Sequence, residues 1–518
     1  MSRSGYVKKN ILYSMCSKIV ALVLHFISRT VFIKILGNTY LGVNGLYTSL
    51  LSLLSFAELG FGTAITFLLY KPVAENNEEQ TLKILYFYKI AHRIVAGIIF
   101  GVGLIFVPFL PYIVKDADFL TQNELYIYFL IYLTNSVITY FVSYKYGYVR
   151  AKQQIYIVTN IDTIFQIIIV SAQIFVMILT KNFLFYLLTQ TILIIVSKIF
   201  IALYLNRRFP IVHKKPTTFL SKEEKKPIYK EVRGLIVHRF ADIAVHSTDN
   251  ILISVLVGGV ALVGLVSNYD LLITSVLGFV TILFSSLTPS FGNLMATSSS
   301  EKSHAVFEET NFIGSWIYGF CAIAFYILIP PFITLWIGSE YVIDSVSFSL
   351  IILNCYLQGL CTVYNNVRIA KGGFGKDKWN ALCQALVNLV VSIIAAKFLG
   401  LVGIYIGTIC SRMVIVIGRP KATYRHLFGT SSKFYYVKTL MYGTVSLVLG
   451  LITYVATYYI LKDVTILKFI AAACVVAILP NLLYALIFIK NKQFKSVVNR
   501  VSNMFKLKFV KTKRNNNG

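Results

Sequence analysis

Apolar stretches of about twenty or more residues recur along this chain from Ile11 to Ile489. Each is long enough to cross a hydrocarbon core of ~30 Å as a helix rising ~1.5 Å per residue. Composition agrees: 57% of the 518 residues are hydrophobic, 14% are charged and mean hydropathy is +0.72. A transmembrane β-barrel is excluded, because barrel strands alternate over about ten residues instead of running apolar throughout. The chain reads as an all-α integral membrane protein.

Fourteen spans are expected, at 11–36, 41–70, 84–112, 124–149, 155–180, 183–206, 232–257, 261–294, 310–337, 342–369, 378–398, 401–418, 436–461 and 465–489. Lys8 and Lys9 before the first span resemble a signal peptide, but the run is too long and no A-x-A site follows, so it reads as a retained helix. The seven cysteines, Cys16, Cys321, Cys355, Cys361, Cys383, Cys410 and Cys474, lie in apolar segments without C-x-x-C pairing and read as packing residues.

Net charge is +28, which in a soluble chain would point to nucleic acid. Its distribution points to topology instead. With a cytoplasmic N-terminus, the inside segments hold Arg3, Lys8 and Lys9, Lys145 to Lys152, Arg207 to Arg233, Arg368 to Lys378, Arg419 to Lys438 and Lys490 to Arg514. Outside turns are short and poor in cations, so the positive-inside rule puts both termini in the cytoplasm. The inside loops 71–83 and 296–308 fit least well, with few cations and several glutamates. The basic tail serves either as topogenic charge or as a site for anionic head groups.

Matched positions recur at nearly one offset, which drifts only by loop-sized amounts. Lys18 and His25 correspond to Arg239 and His246 at 221; Gly37, Gly42 and Tyr47 correspond to Gly259, Gly264 and Tyr269 at 222. Val149-Arg150 then matches Val367-Arg368, Asn160 matches Asn380, and Ser197-Lys198 matches Ser411-Arg412. Six helices per repeat is an even number, so both halves share one orientation, a pseudo-twofold axis runs along the membrane normal, and a substrate site is expected between them. The organisation expected is a six-helix lobe over 1–206, a basic cytoplasmic linker over 207–231, a second six-helix lobe over 232–428, two further helices over 429–489 and a basic tail over 490–518.

Ionisable groups at the bilayer centre cost roughly 2.5–3.5 kcal/mol on insertion scales, so a cluster of them needs a reason. Lys18, His25 and Arg29 fall within about 20° of one line on the first helix at ~100° per residue, with Ser14 continuing it. Arg239, His246 and Asn250 repeat the stripe on the seventh helix. The two stripes read as walls of a polar cavity binding substrate. The plainer alternatives are snorkelling for Lys18, packing for His246 and an i,i+3 pair with Asp242 for Arg239. Glu58, Asp162, Asp242, Asp249 and Asp270 are carboxylates for coupling or ion pairing. Neutral stripes on other helices, such as Asp162, Gln166 and Gln173 or Asn354, Gln358 and Asn365, suit interhelical hydrogen bonds or a sugar-lined path.

The Gly372-Gly373-Phe374-Gly375-Lys376 run fails as a phosphate loop, since Ala370 and Asp377 stand where the motif needs Gly and Ser or Thr. No catalytic residue, metal ligand set or cofactor is expected, and the chain reads as no enzyme. The cationic first helix, the Leu36-Gly37 to Leu41-Gly42 turn, the Ala57-Glu58-Leu59-Gly60 run and Arg150-Ala151-Lys152 together resemble the multidrug/oligosaccharidyl-lipid/polysaccharide exporter superfamily. The likeness is to its polysaccharide transport branch, the Wzx-type flippases. That resemblance implies a bacterial cytoplasmic-membrane protein working by alternating access on an undecaprenyl pyrophosphate-linked oligosaccharide. It also implies membrane lipids, a polysaccharide polymerase and chain-length machinery as partners. Lipid II flippases of the same superfamily use first-helix arginines for pyrophosphate, and Lys18 and Arg29 are the candidates by position. Cation-coupled multidrug antiporters of the toxin extrusion type are the alternative.

Overall fold

The computed structural model describes residues 3–58, 61–285, 294, 298–371 and 378–499. All regular structure among them is helical. The long helices are α1 (Arg3–Leu54), α2 (Phe61–Ala74), α3 (Glu78–Phe106), α4 (Gln122–Ala151), α5 (Tyr156–Thr180), α6 (Phe183–Arg208) and α7 (Lys222–Ile253). They continue with α8 (Gly259–Ser285), α9 (Ser300–Trp336), α10 (Ser345–Lys371), α11 (Lys378–Leu399), α12 (Leu401–Thr423), α13 (Lys433–Tyr458) and α14 (Ile466–Phe488). Twelve stretches among the described residues are long and apolar enough to cross a membrane. This is a multi-pass membrane protein.

The expected boundaries shift in three places. Leu12–Leu54 and Ser247–Ser285 each run as one stretch, of 43 and 39 residues, where two spans apiece were expected. At ~1.5 Å per residue these reach ~65 and ~59 Å, about twice a ~30 Å core. Each contains one glycine with left-handed backbone, Gly37 (φ 86°) and Gly259 (φ 59°), so the turn is made inside the stretch instead of by a separate loop. The expected span 41–70 is also interrupted: α1 ends at Leu54, a single 3₁₀ turn covers Ser55–Glu58, and α2 contains only 14 residues with Pro72 inside. The end of the span 261–294 and the 372–377 loop lie mostly outside the described residues.

Two capping boxes start helices whose boundaries hydropathy alone leaves vague. Thr121 and Glu124 exchange side-chain and backbone bonds at the start of α4, as Ser221 and Glu224 do at α7. The Ser221 N–H holds the Glu224 carboxyl below the usual carboxylate range.

Contacts divide the chain into two compact units, Met1–Asn268 with Ser392–Ile404, and Tyr269–Val391 with Tyr405–Gly518. In the first, α1 and α8 approach at their glycines. A Cβ on Gly42 would fall 1.7 Å from the Val260 carbonyl oxygen, and one on Gly264 would fall 2.3 Å from that of Asn38. The repeat-matched tyrosines play parallel roles: Tyr47, fully buried, donates to the Leu125 carbonyl at 3.0 Å, and Tyr269, also fully buried in the second unit, accepts from the Ile343 N–H at 3.0 Å.

Candidate functional site

The first-helix stripe is built against α5. Asn10 anchors its start, donating to the Gln153 carbonyl at 2.8 Å and accepting from the Tyr156 N–H at 3.1 Å. Further along, Thr163 donates to Ser17 at 2.7 Å. Lys18 is exposed and meets no hydrogen-bond or ion-pair partner among the described residues. His25 Nε2 lies 3.1 Å from the Gln166 amide nitrogen. The contact ties the first-helix imidazole to the amide of α5.

Arg29 turns toward the start of α8 instead. Its Nη1 donates to Ser267 Oγ at 2.8 Å and approaches Asn268 Oδ1 at 3.5 Å. Asn268 is fully buried. Half-buried Arg29 is thereby held in place by Ser267 and Asn268, and a planar guanidinium is a shape that suits a phosphate oxygen. One helix thus carries on one line an ammonium without a partner among the described residues, an imidazole and a positioned guanidinium.

The matched stripe on α7 is only partly visible. Arg239, Asp242 and His246 have side chains outside the described residues, while Asn250 donates to Ser49 on α1 at 3.0 Å and Ser247 donates to Ser52 at 3.0 Å. Asp249 is half-buried on the same helix.

The remaining carboxylates do not gather on the stripe. Asp162, one helical turn from Gln166, pairs across to α6: Lys198 Nζ sits 3.3 Å from Asp162 Oδ1, Tyr146 donates to the same oxygen at 3.3 Å, and Lys198 donates to Tyr146 at 3.2 Å. Glu58 accepts from Tyr140 on α4 and lies beside Tyr88 on α3. Asp270, exposed on α8, belongs to the second unit, where Cys355 lies in its field and in that of Arg412.

Sequence reasoning overlooked several buried polar groups. Glu308 on α9, 8% exposed, accepts from Tyr424 and pairs with Lys438, tying α13 to α9 within the second unit. Arg412, 6% exposed, donates from Nε to Asn354 at 3.2 Å, and its Nη2 meets no partner among the described residues. Buried Lys145 donates to Asn206 at 2.6 Å. The one available signal was the Ser197-Lys198 and Ser411-Arg412 match, which marks a cation in the same place of each repeat.

Family and fold now follow. A family model described as polysaccharide biosynthesis protein matches residues 7–295. The chain belongs to that family. No curated protein matches it. Among solved structures, the lipid II flippase MurJ in an inward closed conformation superposes with a TM-score of 0.66 at 13% identity, covering 93% of this chain and 99% of that one. An inward-facing multidrug resistance MATE family transporter of the MOP superfamily gives 0.61 at 17% identity, over 77% of this chain and 92% of that one. A MOP superfamily transporter from Pyrococcus furiosus, described as having a binding pocket of reversed polarity, gives 0.53 at 16% identity, over 81% and 94%. These likenesses show that the family member described here has the MOP exporter fold.

Proposed function

We propose that this family member is a flippase carrying an undecaprenyl pyrophosphate-linked oligosaccharide repeat unit from the inner to the outer leaflet of the bacterial cytoplasmic membrane. The observation that carries the reading is the cationic line on α1, Lys18 without a partner among the described residues and Arg29 positioned by Ser267, in a polysaccharide biosynthesis family member. A diphosphate cannot enter hydrocarbon unaided, while cations in a site of low dielectric bind it strongly. Lys18, His25 and Arg29 take the head group, with Arg239 and His246 as their repeat-matched counterparts. The polyprenyl tail stays in lipid. The same reading has fourteen crossings, cytoplasmic termini, lobes at 1–206 and 232–428 that alternate access, and a polysaccharide polymerase taking the product.

Half-buried Asp249, with Asp242 on the same helix, favours a second reading, cation-coupled drug antiport. Alanine at Lys18 or Arg29 separates the two. Under the flippase reading, either change abolishes surface polysaccharide while membrane protein levels persist. Preserved polysaccharide in both variants would overturn it, and loss of the protein itself would assign the residues to folding.

A further inference from the structure

Two cavities of the first unit meet at one residue that the transport reading does not use. The larger, of about 620 Å³, is a groove between α5 and α6. Ile157, Ile161, Ile164 and Ile168 form one wall, and Phe200 with Tyr204 the other. Phe165 and Phe200 touch at 5.4 Å between ring centroids, and Phe200 stacks on Tyr204 at 6.3 Å, so the floor is aromatic. At its end stands Arg208. The second cavity, of about 440 Å³, is lined by the same Arg208 together with Lys152, Lys214, Glu78, Asn76 and Tyr148.

The chemistry changes abruptly at Arg208. One side is apolar and open to lipid, with Ile164 at 57% and Phe200 at 49% exposure. The other has three cations against the single carboxylate of Glu78, which Lys214 already engages at 2.9 Å. Lys152 lies over the Tyr148 ring at 5.7 Å. Arg208 is exposed and has no hydrogen-bond or ion-pair partner among the described residues. An apolar slot leading to unpaired cations matches a molecule with a hydrocarbon chain and an anionic head.

Length selects among such molecules. From Tyr156 to Ile168 the groove follows α5 for ~18 Å at ~1.5 Å per residue, close to one leaflet of a ~30 Å core. The head-group cavity falls within the ~300–1,000 Å³ of ordinary small-ligand sites. We propose that the α5–α6 groove and the Arg208 cavity together bind one anionic glycerophospholipid, chain along the isoleucines and phosphate at Arg208 with Lys152. The site lies at the end of α6 that the basic residues assign to the cytoplasmic side, where anionic lipid attracts Lys and Arg. It does not depend on which cargo is carried.

The test uses the full chain in vesicles of phosphatidylcholine containing photoactivatable phosphatidylglycerol or photoactivatable phosphatidylcholine, with crosslinked peptides read by mass spectrometry. Phosphatidylglycerol should label α5 and α6 peptides about fivefold more than phosphatidylcholine, the factor expected for one basic residue facing anionic lipid. Arg208→Glu should erase that preference. Ile164→Trp, which fills the slot, should reduce labelling by both lipids, and Lys181→Glu at the opposite end of the hairpin should change nothing. If Arg208→Glu aggregates, Arg208→Gln should still reduce the preference. Equal labelling by the two lipids, or a preference that survives every Arg208 change, overturns the proposal. So does displacement of phosphatidylglycerol by a polyprenyl phosphate, which would give the groove to the cargo.

Discussion

The two repeats solve the same local problem differently. Lys198 and Arg412 occupy matched positions after a buried serine, Ser197 or Ser411. In the first unit, Lys198 has a carboxylate and a phenol to answer it, Asp162 and Tyr146. In the second, Arg412 is more deeply buried, yet among the described residues it has only the Asn354 amide, and one guanidinium nitrogen meets nothing. A cation with its counter-charge is a fastening between helices. One held by a neutral amide contributes little to stability and keeps its field, because burial costs several kcal/mol per ion and repayment needs both charge and geometry. The carboxylate is not repeated at the matched position: Asp162 is two residues beyond Asn160, and the position two beyond the matched Asn380 is Leu382.

Four substitutions sharpen that contrast. Asp162→Ala should destabilise by about 1–3 kcal/mol, between the values for exposed and buried pairs, because Lys198 is 18% exposed and Asp162 40%. Thermal unfolding in detergent reads it, and an unchanged midpoint would make the triad ornamental. The tyrosine pair comes next. Tyr269→Phe orphans a buried N–H at Ile343 and should cost about 1–2 kcal/mol. Tyr47→Phe removes one of two bonds available to a carbonyl and should cost about 0.6 kcal/mol, near the average for membrane hydrogen bonds. Equal losses would show that the two hydroxyls are equivalent. The smallest effect belongs to Arg412→Leu, expected to leave the unfolding midpoint unchanged or higher, as replacement of an uncompensated buried charge does. A loss as large as that of Asp162→Ala would mean that Arg412 is fastened as well as Lys198.

Much of the architecture could be read from residue positions alone. Length and apolarity give the membrane helices, and the spacing of Gly37, Gly42 and Tyr47 against Gly259, Gly264 and Tyr269 predicted a repeat whose members indeed share left-handed backbone, close approach and buried hydroxyls. The stripe of Lys18, His25 and Arg29 was legible because one helix carries it. Contacts between helices were not. The Lys198–Asp162 pair joins residues 36 apart, and Glu308 meets Lys438 across 130. A helix apolar on every side, as a lipid-facing one is, shows no period that would reveal its inner face. Helix ends were blurred for the same reason, and the break at Ser55–Glu58 fell inside the stretch 41–70 that hydropathy reads as one span.

The central claim is that α1 holds an anion, and the sign of charge at Arg29 tests it most directly. The assay is complementation of a flippase-deficient strain, scored by surface polysaccharide with membrane protein levels checked, beside drug resistance in an efflux-deficient strain. Arg29→Lys should retain partial function, since a cation remains although the fork is lost. Arg29→Glu should abolish it, because a carboxylate there repels the diphosphate. Full activity of Arg29→Glu, or drug resistance that disappears with Asp242→Asn, would contradict the account.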